Sequence, residues 1–319
     1  MRIDPAIAAL RRDRLPQRRA QAAMVAACDG WRAAPEAVRV LAELERFGAG
    51  ASLAACPALG AVFTDGGSAP RLVAVLVRCF CGVMTREPFG HPPLRHGFER
   101  GASTLLLARA GRAQLVLHAR EPGSWSFDGV GLSDAERHEA VLSGAAEGRI
   151  VHRGVLSGPF GERPIALQEG TRLTLDLTRE ALQVLQVERR LVSLRLHRHA
   201  AVPGPTCEYA LADGALRHQS AGDIRTSRHE AMLALLGRMG RAEAAATMTT
   251  IAREPGDPSL RWQALRECLA LEAAAGFAAL CEIAGAADDP LAEPAESLRL
   301  QLLGAHPQLA ALDAAPCRA

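Results

Sequence analysis

The chain has 319 residues, with 37 basic and 35 acidic side chains and a formal net charge of +2, and every basic residue is Arg because the sequence contains no Lys. Without Lys there is no Schiff-base amine, no phosphate-loop lysine and no Ser-Lys dyad, since each needs an amine that can approach a phosphate or give up its proton. The small net charge gives no bulk attraction to nucleic acid or to an anionic membrane.

The N-terminal residues are charged, and no uninterrupted apolar run of about 18 residues occurs, so a cytoplasmic location with no membrane partner is expected. The eight Cys are scattered among Ala, Leu and Val, the pattern of reduced, buried thiols without disulfides. Asp4-Pro5, Pro16 and Pro35-Glu36 punctuate helices, and Leu72, Val73, Leu76, Val77 and Phe80 recur at the spacing of one helical face. Residues 1–86 therefore read as an N-terminal helical block.

Pro88, Gly90, Pro92 and Pro93 break that period, in a loop whose His91 and His96 stand at a domain junction and which reads as a proline-held linker. Beyond it the apolar spacing becomes alternate. Residues 103–109 and 114–120 flank a turn at Gly111, and Leu173, Leu175 and Leu177, then Val192, Leu194 and Leu196, lie on every second position. Asp213-Gly214 marks a second hairpin. An antiparallel β barrel or sandwich is expected over residues 100–222, interrupted by one helix beginning at Ser133, where Ser133 and Glu136 make a capping box. The fold class is α+β.

From residue 227 to 315 the helical period returns: Ser227 with Glu230 reads as a capping box, Gly240 as a stop, Asp257-Pro258 and Asp289-Pro290 as starts, and Gly276 as a separator. Asp257-Pro258-Ser259-Leu260-Arg261, followed by Ala264, Leu265 and Leu269, resembles a HEAT-type repeat, in which an Asp-Pro cap precedes an Arg and a small apolar inner-face residue. The next unit carries an extra Pro294 and places Arg299 out of register. This resemblance implies stacked α-helical hairpins that dock another protein. An ordinary helical bundle with Asp-Pro caps is the alternative.

His197-Arg198-His199 ends an alternating strand, where residues two apart share a face and two imidazoles can hold one divalent metal ion. The pair resembles the first metal motif of cupin barrels, which implies a metal at His197 and His199. Where that motif has a carboxylate, this sequence has Pro203 and Gly204, and alternation puts both imidazoles with Ser193 and Arg195 on a face expected to be solvated. His118, His152 and His218 are the candidate further ligands. His138-Glu139 and His229-Glu230 lack the second His of a zinc-protease helix and read as helix starts. Cys79 and Cys81 point to different sides of a helix and read as core.

Arg11, Arg12, Arg14, Arg18 and Arg19 form the strongest charge cluster, an interaction patch or a solvated helix surface. No nucleophile elbow or dinucleotide-binding glycine pattern is present. The sequence favours a non-enzymatic protein-interaction or ligand-binding protein whose partner is another protein. A metal-dependent cupin-like enzyme using His197 and His199 is one alternative. The other is a regulator contacting nucleic acid through its Arg-rich start.

Overall fold

A computed structural model describes residues 13–154 and 160–313. The chain divides into two compact units, Met1–Val202 with Glu208–Arg217, and Pro203–Cys207 with His218–Ala319. The fold is α+β, with N-terminal helices, an antiparallel β domain and C-terminal helices.

In the first unit, helices α1 (Leu15–Arg32), α2 (Pro35–Ala49), α3 (Pro57–Thr64) and α4 (Ser68–Arg86) precede the strands. Proline occupies the first turn of α1, α2 and α3, where its missing N–H has no intrahelical partner to lose. Among the described residues α4 is the one helix long and apolar enough, at mean hydropathy 1.4, to cross a membrane by length and composition. In this fold it lays Ala69, Leu72, Leu76 and Phe80 into the core.

The main sheet is formed by β1 (His96–Glu99), β2 (Ala102–Ala110), β3 (Ala113–Arg120), β9 (Glu180–His199), β6 (Ala135–His152) and β7 (Gly161–Gln168), in that order. Strand β4 (Gly123–Ser124) also pairs with β9, and β8 (Arg172–Asp176) with β6. A smaller sheet orders β11 (Leu216–Ser220), β10 (Thr206–Ala210) and β5 (Gly129–Leu132). Leu107, Leu115, Ala140, Leu194 and Leu196 on one face of the main sheet share a core with Trp31, Phe47, Leu59 and Leu72 of the helices. Each fully buried Leu or Phe contributes about 1.5–3 kcal/mol of transfer free energy there.

The helix expected to begin at Ser133 does not form. Ala135–His152 is an 18-residue strand paired along one edge with β9 and along the other with β7 and β8. Two ladders satisfy its backbone groups and outweigh the local helix preference of its Ala, Glu and Arg residues. Ser133 uses its backbone N–H on the Leu177 carbonyl at 2.9 Å, within the ladder region and not as a cap. The long strand accommodates register shifts near Gly144, at φ +99°, where a Cβ would run into the Arg190 carbonyl.

The second unit holds α5 (Ile224–Arg238), α6 (Ala245–Arg253), α7 (Pro258–Leu271), α8 (Ala273–Gly285), α9 (Ala292–Ala305) and α10 (Ala310–Asp313). Its core gathers Leu233, Met248, Leu265, Phe277, Leu280 and Ile283. Asp257 caps α7 as expected, accepting the Leu260 N–H at 2.9 Å. The cap of α5 is Asp223 and not Ser227; its carboxylate accepts from the Arg225 and Thr226 N–H groups at 2.7 and 3.0 Å. Gly276 lies inside α8, and the helix assigned to Asp289-Pro290 starts at Ala292, with Asp289 Oδ1 accepting the Leu291 N–H at 2.9 Å just before it. Both Asp289 oxygens pair with Arg261, at 3.0 and 2.5 Å, while Arg261 Nε donates to the Ala252 carbonyl.

Candidate functional site

Strand β9 presents different side chains to its two faces. Leu194, Leu196 and Arg198 face the helices, where Arg198 lies 3.9 Å from the Phe47 ring centroid, donates to the Phe47 and Ala51 carbonyls at 3.1 and 2.6 Å, and pairs with Glu136. The central residue of the His-Arg-His string thus fastens the C-terminal end of α2 to the sheet. His138 shares that side, set against Phe47 and Phe63, with Nδ1 3.0 Å from Thr174 Oγ1.

Ser193, Arg195, His197 and His199 turn to the opposite face. Register places Ser193 beside His118 of β3 and Val141 of β6, Arg195 beside Val116 and Glu139, and His197 beside Gln114 and Arg137. Arg120 stands one rung beyond His118, opposite Leu191. Directly paired residues lie about 5 Å apart at Cβ, so these side chains form one cluster of stacked rungs. The middle of the face is not solvated as expected, with Ser193 0% exposed, Glu139 1% and His118 4%, while His197 and His199 are half-buried. Val141 and Leu191, on the rungs of Ser193 and Arg120, belong to an apolar cluster with Val184 and Val187.

The hydrogen-bond account of this face does not close. Ser193 Oγ donates to Glu139 Oε1 at 2.6 Å, and Arg195 Nε lies 2.9 Å from the same oxygen as an ion pair whose N–H is not aligned for a hydrogen bond. Glu139 Oε2, His118 Nδ1, Arg120 Nε and Nη1 and Arg137 Nε are buried without a partner among the described residues. An unpartnered buried polar group costs about 1–3 kcal/mol, so such a concentration marks a place where a ligand or ordered water completes the set.

Burial, reinforced by Arg195, pushes His118 down to about 3, and burial with Arg137 and Arg195 beside it does the same to His197, so both imidazoles are neutral at pH 7. Burial lowers Arg120 and takes Arg137 down to about 10, which leaves both charged at neutral pH. For Glu139, burial acts to raise the carboxyl, but Arg195, Arg137 and the Ser193 hydroxyl outweigh it and hold it below the usual range.

A divalent metal suits this donor set poorly. The structure puts the half-buried His197 and His199 on the same face as the buried His118, but three guanidiniums share that face and its one buried carboxylate is taken up by Arg195 and Ser193. Among the described residues no group of three or more His, Cys, Asp or Glu is placed to hold a metal ion. His152 and His218 are exposed and do not join the cluster. Sequence reasoning missed Arg120, Arg137 and Glu139, the last two because their segment reads as a helix. The available signal was the alternation of Val116, His118 and Arg120 with Leu115 and Leu117.

Of the N-terminal arginines, Arg11 and Arg12 lie outside the described residues. Arg14 and Arg18 are exposed on or beside α1, while Arg19 pairs with Glu87 at 2.9 Å. Cys79 is half-buried and Cys81 exposed, so only the first fits the expected core position. In the second unit, Trp262, Arg266, Leu269, Ala270, Leu298 and Leu302 line a groove of about 470 Å³ between α7 and α9.

No protein-family model and no curated protein matches the sequence. Among solved structures, the capsular polysaccharide assembling protein CapF from Staphylococcus aureus is similar over 47% of this chain and 37% of its own, at 11% identity and TM-score 0.29. The 7S globulin of Momordica charantia is similar over 37% of this chain, at 12% identity and TM-score 0.28, and the chain spans 35% of its length. Ectoine synthase from P. lautus is similar over 33% of this chain and 68% of its own, at 12% identity and TM-score 0.25. Scores this low carry no argument about function, and the geometry of the buried face is what remains.

Proposed function

We propose that this protein is a non-enzymatic ligand-binding protein whose β domain takes a small molecule against the polar face of β3, β6 and β9. The observation that carries this reading is the set of buried polar atoms on His118, Arg120, Arg137 and Glu139 that have no partner among the described residues, with the apolar cluster of Val141 and Leu191 beside them. Ligand sites fix their ligand through a few placed polar groups and gain affinity from apolar surroundings. The Ser193 hydroxyl is held by Glu139 Oε1, which Arg195 also pairs, and this supports a structural use of that serine and a binding role for the face.

The test is a small-molecule screen on the full chain, with the imidazole resonances of His118 and His197 as reporters. A compound that shifts both, and binds saturably, supports the reading. Compounds that bind only while leaving these resonances in place, or no binding at all, overturn it.

A second reading concerns the helical unit. The bidentate Arg261–Asp289 pair joins the two Asp-Pro segments as successive units of a HEAT-like stack would be joined, which supports a protein partner for this unit. Met232 and Leu235 are exposed apolar residues of α5, and proximity labelling with the full chain and with a Met232→Asp, Leu235→Asp variant tests it. A partner enriched only by the unaltered chain supports this part, and identical profiles from both chains refute it.

A further inference from the structure

Helix α5 commits one side to its own unit, where Leu233 is buried in the core and Gln263 of α7 donates to the Glu230 carbonyl at 3.1 Å. At about 100° per residue the other side gathers Ile224, Met232 and Leu235. Met239 joins them, since its N–H bonds the Leu235 carbonyl at 2.9 Å and carries the spiral one residue past the helix. These four side chains are 51–57% exposed and form an apolar stripe about 22 Å long. Arg228 stands inside the stripe, between Leu235 and Met239 around the helix, and Arg225 and Arg238 stand at its two edges, all three exposed. Glu230, the one acidic residue of α5, is half-buried and lies away from this face. Arg228 and Arg238 make no ion pair among the described residues.

We infer that this face docks an acidic, amphipathic segment of another protein, with apolar side chains along the Met232–Leu235–Met239 stripe and carboxylates paired to Arg228 and Arg238. The inference rests on the protein-partner reading of the helical unit above and names the partner's chemistry. Charge complementarity fixes the sign, because three cations and no carboxylate of α5 lie on the face, so an acidic segment is attracted and a basic one repelled. The same charges argue against a second copy of this helix as occupant, since two such faces would set Arg against Arg. The place of Arg228 favours a protein over a lipid surface. An interfacial helix keeps its charges apart from the side it buries among acyl chains, whereas burying this stripe would carry a guanidinium with it. Against a protein, that guanidinium takes both oxygens of one Asp or Glu carboxylate. Met232 and Met239 adapt to the partner's apolar side chains. The length of the stripe matches about four turns of a partner helix with anchors at i, i+3 or i+4 and i+7.

The experiment selects a displayed library of random peptides, about 18 residues long to span the stripe, on the full chain. Fluorescence anisotropy then compares the selected peptides on the unaltered chain, on a Met232→Asp, Leu235→Asp variant and on an Arg228→Glu, Arg238→Glu variant. Arg225 stays in place because its charge acts on Asp223, the cap of α5. The expected peptides are net negative with apolar residues at helical spacing, and either pair of substitutions weakens them about tenfold or more, as does raising salt from ~50 to ~500 mM. Should a double variant fail to fold, Leu235→Asp or Arg228→Glu alone replaces it. Peptides that need Met232 and Leu235 but are neutral or basic, or that bind the arginine variant equally well, overturn the acidic partner and leave the protein-partner reading standing. Binding to phosphatidylglycerol vesicles that both variants lose, with no such peptide selected, assigns the face to lipid and also overturns it. No peptide that depends on α5 refutes the inference, and the labelling profiles then decide the protein-partner reading separately.

Discussion

Glu139 shows how one side chain sets the character of its surroundings. At 1% exposure its charge survives because Arg195, Arg137 and Ser193 surround it, and the pair it makes with Arg195 is expensive to break from one side. Glu139→Leu should therefore cost about 3–5 kcal/mol in urea unfolding, because Arg195 is left buried without its carboxylate. Glu139→Leu combined with Arg195→Met should cost less than Glu139→Leu alone. A double variant as unstable as the sum of the two singles would show that the pair is not coupled. The two histidines give a second expectation. Their folded values, about 3, lie below the unfolded value, so the unfolded chain binds more protons between the two. The stability they contribute is complete above pH ~6.5 and is lost as pH falls toward 3, at about 1.4 kcal/mol per pH unit for each histidine. Urea titrations between pH 7.5 and 4.5 check the slope, and His118→Asn should flatten it by about one proton.

Strand β6 carries the element-scale lesson. Its sequence has a capping box and an Ala-rich composition, both local signals, whereas the strand exists because β9, β7 and β8 flank it. Local spacing captured α2 and α4, which bury one face, and the β2–β3 hairpin, which its turn at Gly111 marks. It could not capture β9 fully, because the strand is buried on both sides. Leu194 and Leu196 announced the helix-facing side, but polar residues on the reverse side read as solvent-facing until the structure shows a second buried surface there. The C-terminal helices were legible through Asp257 and not through Ser227, since the true cap Asp223 lies outside the periodic stretch. Glycine substitutions separate these cases. Gly144→Ala should destabilise the protein by about 1–3 kcal/mol or more, because φ +99° and the Arg190 carbonyl both oppose a Cβ. Gly82 lies inside α4 with nothing within 4 Å of a built Cβ, so Gly82→Ala should gain about 0.5–1 kcal/mol. Equal effects from the two changes would contradict the strand geometry at Gly144.

The whole molecule contains cores that do not share residues. Leu233, Met248, Leu265 and Phe277 belong to the helical unit, while Trp31, Phe47, Leu115 and Leu194 belong to the unit with the sheet. A chain with separate cores need not melt as one cooperative body. Arg261, 4% exposed, holds Asp289 with two hydrogen bonds and the last turn of α6 with a third, all inside the second unit. Arg261→Ala would leave Asp289 without its guanidinium and the Ala252 carbonyl without its donor, a loss of about 3–5 kcal/mol by analogy with other half-deleted buried pairs. In calorimetry that loss should lower the transition of the helical unit while leaving the His118 and His197 resonances and the sheet's transition in place; Glu139→Leu should do the reverse. If both substitutions displaced a single transition by similar amounts, the two cores would be one folding unit, and ligand binding at the sheet would then stabilise the helices as strongly as the strands.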